Sequence, residues 1–438
     1  MANHEGDQPG NSWIVTLSHY FYVLGQIMPQ YLKLQPPFIA RDHFLSQIPA
    51  PHPAIEMCET VDSLGRILSE DLFAPHPLPQ FPRSTVDGYA VRSGETNGAS
   101  ESLPALLRLA GEAPMGKIAV QSVLSGEAIL IHTGGMLPPG ADAVVMLEQT
   151  QLTGSDNLEI YRPVAANENI IQVGEDVHTS DLVIPAGRRI RPVEIGGLMS
   201  FGVTCVRVNR SPRVGILSSG DEIVPPHESP QAGQVRDINT ATMSAIVREA
   251  GGVPVDYPII PDDPEALYQA VARAHAENDM VLITAGSSAS TRDLTSEVVA
   301  RLGKPGVLVH GVNVRPGKPT ILAVCDGKPV IGLPGNPVSA LVISGLFARP
   351  AIHKLLGCTD PVYQPAITAR LTATVSSLAG REDWVPVILQ PSEQGYLAEP
   401  IFFKSNLIFN LVRANGLLHI EADATGLTAG EMASIEIL

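Results

Sequence analysis

Basic residues are scarce in this chain: 29 Lys and Arg stand against 45 Asp and Glu, a formal net charge of −16. Such a surface suits a phosphate backbone poorly, so nucleic acid is not expected as a partner, although a local basic group is free to take a small anion. Cysteine is thin too. Cys58, Cys205, Cys325 and Cys358 show no C-x-x-C spacing and no adjacent histidine pattern. That argues against thiolate metal knots and suggests reduced, mostly buried thiols of a cytoplasmic protein. No apolar run reaches the roughly 20 residues of a membrane span. The nearest, WIVTLSHYFYVLGQIM at 13–28, lacks a basic n-region before it and a small-residue cleavage site after it. It reads as an extension, with Met28 as an alternative start, and no membrane is expected. Internal repeats and low-complexity tracts are also absent, which leaves ordinary globular domains.

What is present is ample core. The 438 residues are 44% hydrophobic, and 38 prolines with 39 glycines are spread along the chain as turns. This length favours about three domains. Helical pieces are expected at IARDHFLSQI and TVDSLGRILSEDLFAP, both within 36–75. Residues 76–175 carry short β-like runs such as DGYAV and ADAVVML. From Arg213 strands alternate with helices: RVGILSSG, NTATMSAIVREAGG, PEALYQAVARAHAEN, DMVLITAG, DLTSEVVARLG, KPVIG. That alternation implies a mostly parallel sheet with helices on both faces. Residues 359–438 return to strand-like patterns. The division expected is an extension at 1–35, a discontinuous linker region at 36–75 and 176–211, a small β domain at 76–175, an α/β domain at 212–358 and a C-terminal β domain at 359–438.

Ligands of open α/β sheets bind at the carboxyl ends of strands. Four loops at such ends are chemically loaded: Ser218-Ser219-Gly220-Asp221-Glu222; Gly286 to Asp293, with Ser287, Ser288, Ser290 and Thr291; VRPGKPT, with Arg315 and Lys318; and LPGNP, with Pro334, Gly335, Asn336 and Pro337. Asn336 before Pro337 is a helix start in which Asn caps free N–H groups and proline takes the first helical position. Hydroxyls and cations beside helix starts suit a phosphorylated ligand. Asp221, Glu222 and Asp293 would need a metal, a proton or donor groups between themselves and any oxyanion. STVDGYA at 84–90 and HTGG at 132–135, each alone, read as simple turns.

Together, LPQFPRSTVDGYAV, IHTGGMLPPGADAVVMLEQT, GEDV, ILSSGDEIV, GQVRDINTATMSAIVREAGG, VNVRPGKPT and GLPGNPVSA resemble the MoeA/gephyrin family of molybdopterin molybdotransferases, from about Pro36 to the C-terminus. The resemblance implies an α/β-plus-β multidomain chain: an elongated homodimer with a linker region, a small β domain, a molybdopterin-binding α/β domain and a C-terminal β domain. It implies insertion of molybdate into adenylylated molybdopterin with release of AMP, usually with Mg²⁺. The molybdopterin adenylyltransferase is a candidate partner. By position, Asp87, Thr133, Asp176, Glu222 and Asp293 are the implied catalytic residues, and Glu222 and Asp293 the implied metal ligands. Ser219, Gly220, Asp221, Gly286, Ser287, Ser288, Arg315, Lys318, Pro334, Gly335, Asn336 and Pro337 are the implied substrate contacts. In the family Asp87 and Thr133 face the α/β domain of the partner subunit, which makes the active site composite. TAGSSASTRD departs from the glycine-rich loop usual at its position, and Arg315 replaces the more usual lysine. Two other readings stay open: a divergent paralogue that adenylylates molybdopterin or hydrolyses a nucleotide conjugate, and a gephyrin-like non-catalytic scaffold.

Overall fold

The computed structural model describes residues 33–51, 53–285, 289–360, 365–402 and 404–438, without the side chains of 289–293. The apolar stretch at 13–28 and the positions of Gly286, Ser287 and Ser288 lie outside the described residues. The chain divides into two compact units, Met57–Val208 and the remainder.

In the remainder, a six-stranded sheet is built from β1 (Arg213–Ser219), β2 (Val253–Asp256), β3 (Met280–Ala285), β4 (Pro305–His310), β5 (Ile321–Cys325) and β6 (Lys328–Pro334), in the order β2-β1-β3-β6-β5-β4. β2, β1, β3 and β6 run parallel, and β5 is antiparallel to both of its neighbours. β3 is buried along its whole length, as the apolar run Met280–Ile283 requires of a central strand covered on both faces. Helices α1 (Asn239–Glu249) and α4 (Pro337–Ile343) pack together on one face, and α2 (Pro264–Glu277) and α3 (Ala289–Ala300) pack together on the other. α2 shows why the pattern works. Asp263 accepts the Ala266 N–H at 2.8 Å, a proline opens the helix, and Leu267, Val271 and Ala274 bury one stripe. α3 begins four residues before the helix expected from Asp293, so Asp293 belongs to a helix rather than to a loop.

The helical run Pro337–Leu355 is long and apolar enough to cross a membrane by length and composition, but 61% of it is buried inside the protein. A π turn at Ser344–Ala348 interrupts it, one turn before Pro350, which has no N–H to offer the Leu346 carbonyl.

The C-terminal strands close into a barrel. Glu382–Ser392 pairs with Gly395–Pro400, which pairs in turn with Ala366–Leu371, Met432–Ile437 and Gly416–Ile420, and the last strand returns to Glu382–Ser392. Val314–Arg315, from the α/β part of the chain, adds to this barrel in parallel, with Val314 opposite Glu382 and Arg315 opposite Asp383. The N-terminal helix Pro37–Gln47 belongs to this unit, tied by Lys354, which donates to the Leu45 carbonyl at 2.5 Å.

The unit Met57–Val208 holds a six-stranded sheet in the order Ala143–Met146, Gly88–Val91, Glu127–Ile131, Ala105–Glu112, Asn157–Ile160, Thr150–Thr153. Gly88 is needed there, because a Cβ would run into the Val145 carbonyl. The helix expected over TVDSLGRILSEDLFAP does not form. Thr60–Asp62 makes one 3-10 turn, Gly65 takes φ +77°, and Ile67 and Leu68 then pair across to Arg189 and Val208. The apolar spacing there mimics a helix, but its Ser-Leu-Gly turn breaks one. The cysteines also differ from expectation: all four are free, but only Cys325 is buried and Cys205 is exposed.

Candidate functional site

The β1 end is organised by hydroxyls and carboxylates. Ser218 Oγ lies 2.9 Å from Thr240 Oγ1 and 2.8 Å from Thr284 Oγ1, joining the ends of β1 and β3 to the start of α1. Asp237 accepts both the N–H and the O–H of Thr240, at 3.1 and 2.6 Å, which fixes that start. Ser219 is buried and donates to Asp262 at 2.9 Å, while Asp221 accepts the Asp262 N–H at 3.1 Å. The expected ligand groups Ser219 and Asp221 therefore brace their own loop. Glu222 stays exposed, and its carboxylate has no ion pair or hydrogen bond among the described residues. Gly220 lets the loop fold onto it, since a Cβ at 220 would sit 2.7 Å from Glu222 Oε2.

The LPGNP turn is pinned from two sides. Asn239 of α1 donates to the Gly335 carbonyl at 2.8 Å, and Asn336 donates to Ser405 Oγ at 2.9 Å. Asn336 makes no side-chain cap on α4, contrary to expectation. Its amide reaches the C-terminal part of the chain instead, and Val338 N–H follows by donating to the Ser405 carbonyl at 3.2 Å.

Beside this turn a pocket of about 510 Å³ opens. Pro334, Asn336 and Ser339 form one wall, and four cations, Arg315, Lys318, Arg381 and Lys404, surround the space. Asp383, almost fully buried, receives Arg381 Nε at 2.6 Å and Nη2 at 2.9 Å, with Arg315 Nη1 3.7 Å away. A bidentate pair of this kind fixes the guanidinium plane. Gly317 shapes the same loop: at φ +124° it packs where a Cβ would run into the Ile343 side chain. The structure thus brings together Arg315, Lys318, Pro334 and Asn336 from the sequence reading and adds Arg381, Lys404 and Ser405. Those three sit in no recognisable local motif; GREDW and FFKSN carry one cation each and resemble ordinary surface turns. Among the described residues, no three His, Cys, Asp or Glu side chains gather to hold a metal ion.

The unit Met57–Val208 carries its own cluster. Asp87 Oδ1 accepts the Thr133 N–H at 2.7 Å and its O–H at 3.1 Å. These donors hold the Asp87 carboxyl below its usual range, and His132, 3.8 Å away, adds to the effect. The other ring nitrogen of His132 lies 2.9 Å from Glu112 Oε1. His132 and Glu112 were missed in the sequence; HTGG was the available signal. Asp176 is not in this cluster. It lines a pocket of about 200 Å³ among Leu72, Leu78, Val193 and Phe201.

Comparison with known proteins covers most of the chain. Family models match as the MoeA N-terminal region (domain I and II) over residues 39–202, a probable molybdopterin binding domain over 215–354 and the MoeA C-terminal region (domain IV) over 368–438. A putative molybdopterin biosynthesis protein of Methanocaldococcus jannaschii is 35% identical over 88% of this chain and 92% of its own. A molybdopterin molybdenumtransferase of Haemophilus influenzae is 32% identical over 91% of this chain and 97% of its own. The crystal structure of a molybdopterin biosynthesis MoeA protein from Pyrococcus horikoshii OT3 is 30% identical and covers 93% of this chain and 100% of its own, with a TM-score of 0.81.

Proposed function

Because the chain belongs to the MoeA family, we propose that it is a molybdopterin molybdenumtransferase, which inserts molybdate into adenylylated molybdopterin and releases AMP. The observation that carries this reading is the pocket of Arg315, Lys318, Arg381 and Lys404 against the LPGNP turn. Molybdate is a tetrahedral dianion, and preorganised cations hold such an ion without reorganising as the reaction proceeds. Asp383 keeps the two guanidiniums aimed, so positive charge meets the oxyanion in a fixed geometry. As the dithiol sulfurs replace an oxygen of molybdate, the two thiol protons leave on that oxygen as water. Cleavage of the phosphoanhydride by a second water then frees AMP, and cations at the pocket wall offset the charge that develops on phosphate.

In this reading Asp87, Thr133, Asp176, Glu222 and Asp293 are the catalytic residues. Ser219, Gly220, Asp221, Gly286, Ser287, Ser288, Pro334, Gly335, Asn336 and Pro337 are the proposed substrate contacts, with Arg315 and Lys318. The active site is shared between the subunits of a homodimer, the adenylyltransferase hands over its product, and the protein works in the cytoplasm. The domain limits at 36–75 with 176–211, 76–175, 212–358 and 359–438 belong to the same proposal. Mg²⁺ is proposed at Glu222 and Asp293; among the described residues no three His, Cys, Asp or Glu side chains gather to hold a metal ion.

The test is incubation of the purified protein with adenylylated molybdopterin and molybdate. The expected result is pterin-bound molybdenum and AMP in equal amounts. AMP without bound molybdenum would make the protein a hydrolase, and neither product would make it a scaffold.

A further inference from the structure

A second pocket, of about 250 Å³, shares a wall with the cationic one. Arg315 lines both, and Asp383, which holds Arg381 in the first, forms part of the second. The chemistry changes across that wall. Beyond Arg315 the lining turns apolar, with Val375, Val385, Ile401, Phe402 and Trp384, the last 2% exposed and stacked on the His419 ring at 4.4 Å, and the hydroxyls of Thr374 and Ser376 stand beside them. Thr374 and Ser376 are two positions apart in extended chain and so present side chains on one face, opposite the buried Val375. Phe402 leaves 69% of its surface exposed, an unusual placement for a ring with no partner described over it. Arg315 is 59% exposed, with one side of its guanidinium turned to Asp383.

An exposed aromatic ring at Phe402, hydroxyl groups along one edge and a planar cation at one end are recognition elements of a fused nitrogen heterocycle: rings stack on aromatic and guanidinium faces, while ring nitrogens and carbonyls take hydrogen bonds. A second oxyanion does not suit this pocket, because Arg315 is the only cation among its described lining residues and already faces the first pocket. We infer that the Trp384–Phe402 pocket seats a flat nitrogen heterocycle of the substrate while the adjoining cationic pocket holds an oxyanion. The inference rests on the proposed molybdenum transfer, whose substrate carries two such rings, pterin at one end and adenine at the other. The contact of the two pockets through Arg315 gives the arrangement a functional sense: a ring bound beside the oxyanion is held close to where molybdate waits.

The experiment uses full-length protein and calorimetric titration with two probes, 6-hydroxymethylpterin and adenosine, neither of which carries a phosphate. One probe is expected to bind at one site per chain. Ser376→Trp, an exposed position that can be filled without disturbing the core, should weaken that binding by about tenfold or more while changing molybdate affinity less than about twofold. Phe402→Ala should weaken it as well, through loss of the stacking face. Because Trp13 and Trp384 are the only tryptophans, a Trp13→Phe background adds a second readout, quenching of Trp384 emission by the bound pterin. Pterin binding assigns the pocket to the pterin end and adenosine binding to the nucleotide end; either supports the inference. Binding of neither probe at millimolar concentration, or equal binding by wild type and both variants, overturns it. The molybdenum insertion assay is run on the same preparations. A ring that binds to a protein inserting no molybdenum counts against the proposed function alone, and insertion without ring binding counts against the pocket alone.

Discussion

Single side chains decide charge placement here. Glu194, nearly buried at the start of the helix Pro192–Ser200, is gripped by Arg191 through Nε and Nη2 and by the Arg191 N–H, and its pKa falls to about 2. A carboxylate whose folded pKa is depressed stabilises the fold above its unfolded value, near pH 4.5, and loses that contribution as pH falls through about 2. Glu194→Gln should therefore cost on the order of 3 kcal/mol at pH 7, with the gap to wild type closing toward pH 2. Denaturant melts across that range measure it, and a gap independent of pH would remove the ion pair as the cause. Arg381 is the counterpart in the cationic pocket. Arg381→Ala should weaken molybdate binding by about tenfold at low ionic strength and by less at high salt, where screening already hides part of the attraction. Equal affinities for wild type and variant in low-salt titrations would take Arg381 out of the site. Nothing in the local sequence marks Arg381. Its place beside Arg315 depends on a strand pairing between residues more than sixty positions apart.

Elements were legible where their signals were local. β3, α1 and α2 follow from apolar runs, caps and periodicity, and the structure has all three. The stretch after Thr60 was not legible, because its leucine spacing fits a helix while Gly65 and the pairing of Leu68 with Val208 draw it into bridges. Barrel closure was hidden for the same reason, since every closing contact joins distant residues. The LPGNP turn shows how a correct motif can carry a wrong local role. Its rigidity comes from Asn239 and Ser405 rather than from a cap. If Asn336 were a cap, Asn336→Ser would keep function, because serine caps about as well. Here the amide must reach Ser405, and serine is too short. Asn336→Ser and Asn336→Ala should therefore behave alike: both lose oxyanion affinity by a few-fold, with stability lowered by about 1 kcal/mol. Full retention of affinity in the serine variant alone would restore the capping role.

At the scale of the whole molecule, the proposed catalytic residues are distributed between two compact units: Asp87 and Thr133 in one, and Glu222 with the cationic pocket in the other. Each cluster is locally complete as a structure. Asp87 is satisfied by Thr133, and the β1 loop is braced by Asp262. Symmetric homodimers are the commonest soluble assembly, and a two-fold axis supplies both clusters to each of two sites at once. If each site draws Asp87 from one subunit and Glu222 from the other, the two lesions complement. An Asp87→Ala chain mixed with a Glu222→Ala chain leaves one site with both lesions and one with none. Random exchange puts about half of the dimers in the mixed class, each with one intact site of two, so activity should recover toward about a quarter of wild type. Separately tagged chains, purified through both tags, isolate the mixed dimer and raise the expectation to about half per dimer. A site built within a single chain behaves differently. In that case each mixed dimer carries one lesion in each site, and the isolated heterodimer stays as inactive as its parents, an outcome that would overturn the shared site.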